Sequence, residues 1–436
     1  MRSEWPLVRL ADLAAFQEGY VNPSQSEAAY FGDDYKWLRA TDLNNGFVYE
    51  TGRRLSKKGF LSAGKSAVLF EPGTIAISKS GTIGRLGILR DYMCGNRAVI
   101  NIRPNGKVDT RFLFYSLLTQ RPTIETLAEG SVQRNLYVSQ LGRVEVALPP
   151  LEIQARIGDL LGTIDTRIDV LRQTNATLES IAQALFKSWF IDFDPVRTKA
   201  EGREPAGMET ATAALFPAEF EESALGLIPK EWEVVPIGDL VEAVGGSTPD
   251  TKNSAFWEPA VHHWTSPKDL SGATSPILLD TERKVSPAGL AKISSGLLPA
   301  GTLLMSSRAP IGYLTLTQVP TAINQGYIAM PPGGRLPPLY LYFWCQANMD
   351  GIKGRANGST FMEISKKAFR PIPALRPPVP VIDKFVDIAG ALFSRLAANE
   401  RQARAMTELR DTLLPRLISG KLRIPEAQAQ LEEAIA

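Results

Sequence analysis

Between residues 157 and 189 apolar side chains recur at alternating spacings of four and three: Ile157, Leu161, Ile164, Ile168, Leu171, then Asn175, then Leu178, Ala182, Leu185 and Trp189. A seam held this long predicts a helix over about 150–190 that packs on another helix as a coiled coil. Pro149-Pro150 just ahead suits a first turn, where a missing N–H costs nothing. Phe385, Ala389, Leu392, Leu396, Ala403, Met406, Leu409 and Leu413 mark a second helix over about 379–419. Its seam reads as looser, broken by polar residues near Asn399, with Pro415 expected to kink or end it. Neither helix buries its seam alone, so the pattern predicts that the two pack on each other, antiparallel. The alternative is that each lies on its own globular part. Asn175, polar at a seam position, suits register selection.

Upstream of each long helix the period changes. Ala67–Phe70, Thr74–Ile77, Leu86–Leu89 and Ala98–Ile102 are short β-type runs bounded by Gly and Pro, and Leu303–Met305 and Gly312–Leu316 play the same part later. Short helices are predicted at Thr110–Thr119 and Pro338–Gln346. The class is α+β.

The chain also repeats itself. Trp5-Pro-Leu-Val-Arg-Leu-Ala-Asp12-Leu returns as Trp232-Glu-Val-Val-Pro-Ile-Gly-Asp239-Leu, and Trp37 with Asp42-Leu43 as Trp264 with Asp269-Leu270. Gly73-Thr74, Ile83-Gly84, Asn96, Gly130-Ser131, Pro149-Pro150 and Leu185 recur as Gly301-Thr302, Ile311-Gly312, Asn324, Gly358-Ser359, Pro377-Pro378 and Leu413, at an offset of 227 or 228. A period this long means two tandem copies of a domain rather than a solenoid. The expected layout is a first module over 1–148, a helix over 149–193, a linker over 194–225, a second module over 226–376, and a second helix with tail over 377–436. The linker reading rests on the Pro, Gly and charge content of Asp194–Gly207. Two mixed modules joined by paired helices imply pseudo-two-fold internal symmetry.

Composition narrows the function classes. The two cysteines, Cys94 and Cys345, suit a reducing cytoplasm better than a disulfide scaffold. The only histidines, His262 and His263, form no metal-ligand spacing, so no metal site is expected. No run of about 18 apolar residues predicts a membrane span. The Met1–Pro6 segment lacks the apolar stretch of a signal peptide. Gly59-Phe-Leu-Ser-Ala-Gly-Lys65-Ser66 fits the GxxxxGK[ST] phosphate loop. That loop needs a buried strand before it and a helix after it. Here a basic stretch, Arg53–Lys58, precedes it, a strand-like run follows, and the second copy lacks it. No GxSxG or HExxH string occurs, and no catalytic constellation is apparent.

The net charge of +2 conceals segregation: residues 36–134 sum to +9 and residues 262–370 to +6. Within these basic parts lie polar loops suited to phosphate and base-edge contacts. The candidate DNA-binding residues are Arg39, Lys57, Lys58, Ser78, Lys79, Ser80, Arg85, Arg97, Arg134 and Asn135 in the first module. In the second they are Lys268, Ser306, Ser307, Arg308, Gln325, Arg355, Asn357, Ser359 and Thr360. Lys79, Arg97, Arg134, Arg308 and Arg355 are the cations expected on the DNA side.

These features resemble the specificity subunit of type I restriction-modification systems. The resemblance rests on Trp37–Leu43, on the Pro-Gly-Thr…Ser…Ile-Gly segments, and on Leu148-Pro-Pro-Leu-Glu-Ile-Gln154. It rests most specifically on Leu185-Phe-Lys-Ser-Trp-Phe-Ile-Asp-Phe-Asp-Pro-Val196 and Leu413-Leu-Pro-Arg-Leu-Ile-Ser-Gly-Lys-Leu-Arg423. It implies two target recognition domains that read a bipartite, asymmetric double-stranded DNA target, with the helices as a ruler. It implies a cytoplasmic, non-catalytic chain without cofactor of its own, bound to two modification and two restriction subunits. S-adenosylmethionine, ATP and Mg would sit on those partners. Three other readings stay open: a stand-alone DNA-binding or architectural protein, an ATPase using Gly59–Ser66, and a protein-interaction scaffold built on the helices.

Overall fold

The computed structural model describes residues 5–130, 134–273, 275–308, 310–358 and 362–435. Four helices carry the layout: α1 (Thr110–Thr119), α2 (Leu151–Phe190), α3 (Pro338–Ala347) and α4 (Val379–Ile418). The pairs α1/α3 and α2/α4 are equal in length and 228 positions apart, so the sequence repeat is a structural repeat. The chain forms two compact units, residues 1–170 with 403–436 and residues 171–402. These boundaries cut across both long helices, which the five-segment layout had kept whole. Each unit owns part of α2 and part of α4.

The first unit is built on a five-stranded sheet ordered Ala14–Glu18, Val99–Pro104, Ile75–Ser78, Leu86–Leu89, Gly46–Val48. Its two central strands, 75–78 and 86–89, are buried at every residue, which is why they read as continuous apolar runs. α1 packs on the 86–89 strand, and its first turn is capped by Asp109, whose carboxylate accepts the Phe112 N–H at 2.9 Å. A second sheet orders Arg54–Leu55, Phe31–Leu38, Met93–Gly95 and Leu69–Phe70. The module's first and last strands, Leu7–Arg9 and Glu145–Ala147, pair antiparallel and close it. The second unit repeats the plan. Its four-stranded sheet orders Ile277–Leu278, Leu314–Thr317, Leu303–Ser306 and Tyr327–Met330, and its ends, Glu233–Pro236 and Pro373–Arg376, pair in the same way. Cys94 and Cys345 are buried free thiols, and burial pushes Cys94 up to about 12.

Inside the second unit the long helices run antiparallel: Asn175 pairs with Asn399, while eleven residues further along α2 Phe186 meets Phe385 of α4. The seam of α4 is not looser than that of α2. With Asn399 and Arg410 included it runs 385, 389, 392, 396, 399, 403, 406, 410, 413, the α2 seam shifted by 228. Asn399 does not break the seam. It is buried there and donates from Nδ2 to Asn175 Oδ1 at 2.9 Å, while Asn175 Nδ2 donates to Glu400 Oε2 at 3.4 Å. Replacing Asn399 with alanine strips Asn175 of that partner and lowers the stability of this unit by about 1–3 kcal/mol, read from the urea midpoint. Pro415 does not end the helix either, since α4 continues to Ile418. It lies on the exposed side one turn from the end, where the backbone carbonyl it leaves unpaired can reach water.

The 194–225 segment is ordered rather than a free linker. It forms a helix over Asp194–Ala200 and a hairpin of Phe220–Ser223 with Gly226–Pro229. Val196 and Phe216 are buried in the second unit's core, the Phe216 ring 5.1 Å from that of Trp189. Its Pro and Gly residues make turns, and the few apolar residues between them anchor it.

Candidate DNA interface

In the first module three separate segments are stitched together by backbone hydrogen bonds. The Lys79 N–H donates to the Ala98 carbonyl at 2.8 Å, and the Leu136 N–H donates to the Lys79 carbonyl at 2.9 Å. This brings the 78–85 hairpin loop, the 96–98 turn and the 134–136 edge to one place. The Asn96 N–H donates to the Leu38 carbonyl at 3.0 Å, which sets Arg39 beside the same turn. The second module repeats the stitching at an offset of 228: Ser307 N–H to Gly326 at 2.8 Å, Ile364 N–H to Ser307 at 3.0 Å. Asn324 N–H to Thr265, 3.0 Å, repeats the third. Glu129 and Asn135 pair as a bridge across Gly130, and Asn357 and Glu363 do so across Gly358.

Within these clusters several sequence candidates turn out to be structural. Ser78 and Ser306 are fully buried. The Ser78 Oγ donates to the Thr82 carbonyl and accepts the Arg85 N–H, while Ser306 Oγ donates to Pro310 and accepts the Tyr313 N–H. Each hydroxyl is spent closing its own hairpin and is not presented to a ligand. Ser307 is buried as well. Arg39 is held by Asp42, whose carboxylate also accepts the Arg39 N–H at 2.8 Å. Arg134 donates to the carbonyls of Glu125 and Ala128 at the end of a short helix, which satisfies groups that a helix end otherwise leaves open.

Three further cations are ion-paired: Lys58 with Glu27, Lys79 with Glu18 at 2.8 Å, and Arg308 with Glu363 at 3.7 Å. Burial raises the Glu18 carboxyl, but the hydrogen bonds from Lys79 and Tyr20 outweigh it, and the net shift is downward. The pair is therefore complete at neutral pH and is lost only as pH falls through that lowered value, below the ordinary glutamate range near about 4. Glu18, Glu27 and Glu363 were not among the candidates. The first two lie outside the charge windows, and over whole modules, 1–148 and 226–376, the balances shrink to +5 and +3.

The exposed candidates are Lys57, Arg97, Lys268, Gln325, Arg355 and Asn357, with Ser80, Arg85 and Asn135 partly exposed. Lys57, like Lys58, lies on a short helix packed against the 28–30 turn, apart from the stitched loops. Ser359 and Thr360 lie outside the described residues.

The Gly59–Ser66 string is not a phosphate loop. Gly59 sits inside the short helix Lys57–Leu61, and a Cβ there would meet the Tyr30 carbonyl oxygen at 2.0 Å. Gly289, in the helix Pro287–Leu290, meets Phe256 in the same way, so the glycine allows a close backbone approach that both copies share. The Lys65→Ala change is expected to leave nucleotide binding by the chain at background, checked with a fluorescent ATP analogue. Among the described residues no group of three or more His, Cys, Asp or Glu could hold a metal ion, and no helix is long and apolar enough to cross a membrane.

The model of the type I restriction modification DNA specificity domain matches residues 2–180 and again 229–399. The chain belongs to this family. Among its relatives, the type I restriction enzyme MjaIX specificity subunit of Methanocaldococcus jannaschii is 25% identical, over 97% of this chain and 94% of that one. The HindI specificity subunit of Haemophilus influenzae is 28% identical over 77% of this chain and 82% of its own length. The fold is similar to the crystal structure of the type I restriction-modification S subunit from M. genitalium, with a TM-score of 0.55 at 16% identity over 95% of this chain and 96% of that one. The two matched stretches of the specificity domain contain the two stitched loop clusters. The chain is thus a specificity subunit, the non-catalytic kind of component in such a system.

Proposed function

We propose that each module reads one half of a bipartite, asymmetric double-stranded DNA target through its stitched loop cluster. The observation that carries this is the pairing of identical backbone scaffolds with different side chains. Lys79 stands where the second copy has Ser307, Arg97 where it has Gln325, and Asn135 where it has Glu363. A duplicated frame with divergent side chains gives two different half-sites from one chain, unlike the palindrome of a true homodimer. The long helices set the spacing between half-sites. Two modification and two restriction subunits join this chain, and S-adenosylmethionine, ATP and Mg belong to them. The assembly works in the cytoplasm.

The test is methylation mapping in a host that carries this gene with its neighbouring methyltransferase gene, together with DNA binding by the assembled complex. A split motif that vanishes when this gene is deleted is the expected result. Lys79→Ala with Arg308→Ala should weaken binding to all sequences, because both residues hold the loops in place. Unaltered binding by that double variant would mean the loops are wrongly assigned. Removing Lys268 or Arg355, both exposed, should flatten the salt dependence of binding by about one unit of slope each.

A further inference from the structure

We infer that Arg97 and Gln325 are equivalent base-reading residues, with Arg97 selecting guanine in one half-site and Gln325 selecting adenine in the other. This rests on the proposal that the stitched loops face DNA. The two residues occupy the same position of the same turn. In each module the preceding asparagine locks that turn twice. The Asn96 N–H donates to the Leu38 carbonyl, and its Oδ1 accepts the Ala98 N–H at 3.0 Å. Asn324 makes the matching bonds, to the Thr265 carbonyl and from the Gly326 N–H at 2.8 Å. The residue after the tip is tied to the neighbouring hairpin loop, through Lys79 in one module and Ser307 in the other. The chain also approaches so closely that a Cβ on Gly19 would lie 2.6 Å from the Gly95 carbonyl oxygen, and one on Gly246 1.8 Å from the matching oxygen of Ile323. The backbone around the tip is thus held by matching hydrogen bonds in both copies, while the exposed tip side chain differs.

The chemistry of those side chains is complementary to purine edges. Arg97 is exposed and is bound by no carboxylate or carbonyl among the described residues, unlike Arg39, Lys58, Lys79, Arg134 and Arg308. Its planar fork is free to donate to guanine O6 and N7. Gln325 is exposed too, and its Oε1 accepts the Thr248 hydroxyl at 2.7 Å. That bond holds the amide with its oxygen turned to Thr248. It leaves Nε2 to donate to adenine N7, and the second Oε1 lone pair to accept from N6. Thr248 is accordingly a positioning residue.

The experiment maps methylation, and measures binding of the assembled complex to single-base variants of its site, for wild type, R97Q, Q325R and T248V. The R97Q change should alter one guanine position, to adenine or to no preference, and leave the other half-site untouched. Q325R should alter one adenine position in the opposite half. Discrimination at the affected base should fall roughly 5- to 150-fold. T248V should weaken discrimination at the Gln325 position alone, with T248S restoring it. If R97Q and Q325R complexes keep the wild-type base preference at every position, the assignment is overturned. If R97Q abolishes methylation, the binding series decides: an unchanged order of preference among single-base variants overturns the assignment, and a change confined to one guanine supports it. A wild-type complex that shows no sequence preference overturns instead the underlying proposal that these loops face DNA.

Discussion

Replacing Asp165 with alanine is expected to destabilise the first unit by about 3–5 kcal/mol. Asp165 is buried on α2, where its carboxylate accepts the Tyr115 hydroxyl of α1 and the Arg410 guanidinium of α4, the latter at 2.7 Å. Burial lowers Arg410, but Asp165 outweighs it and the net shift is upward, so the cation persists. Burial and the Asp165 charge both push the Tyr115 phenol up, so it remains a donor. Without Asp165 the guanidinium keeps Asp411, an exposed partner, but is left uncompensated on its buried side. The second unit shows how the same place is filled without charge. At an offset of 228, Tyr115, Asp165 and Arg410 correspond to Phe343, Phe393 and Ala182, all buried in one cluster, with the two rings 5.6 Å apart. The triple variant Y115F/D165F/R410A should therefore recover most of the stability that D165A loses, since apolar replacements of similar volume often match a buried ion pair. Urea unfolding of the complete chain compares the two. A triple variant no more stable than D165A would show that the copies differ in shape at this site.

Phe385→Ala should cost about 3–5 kcal/mol in the second unit. Phe385 is fully buried, with Phe190 at 5.3 Å, Phe186 at 5.6 Å and Phe343 at 5.9 Å between ring centroids. These rings come from α2, α3 and α4 and meet mostly edge to face, the arrangement aromatic quadrupoles favour. The loss should appear as a lower denaturant midpoint followed by the fluorescence of Trp189 and Trp232, which join the same cluster. Phe385→Leu, which keeps much of the volume, should recover a large part of it. Equal losses for both variants would mean that burial matters here less than ring geometry.

Much of the fold was legible because its signals are local or repeated. The four-and-three spacing specified both long helices, and the Thr110–Thr119 prediction matches α1 residue for residue. The places where the reading failed were legible too, in part. Carrying the 228 offset through α4 would have placed Asn399 and Arg410 on its seam, opposite Leu171 and Ala182 in the alignment of the two helices. The serine candidates could have been questioned likewise, because Ser78 and Ser306 are conserved between copies whose recognition residues differ. The ordered 194–225 segment was missed because its composition is dominated by turn-formers, and its two buried anchors are too sparse to form a period.

By itself the sequence determined the duplication, the α+β modules, the helix pair and the family resemblance. Each of these follows from spacing along the chain, which survives in one dimension. Only the tertiary structure decided which cations are free to meet a ligand. Lys79 is neutralised by Glu18 from 61 residues away and Lys58 by Glu27 from 31, and Arg134 is consumed by carbonyls. Arg97 and Gln325, by contrast, stand exposed on matched turns. Charge counts along a sequence cannot separate these cases, because ion pairing depends on distances of a few ångströms that folding alone creates.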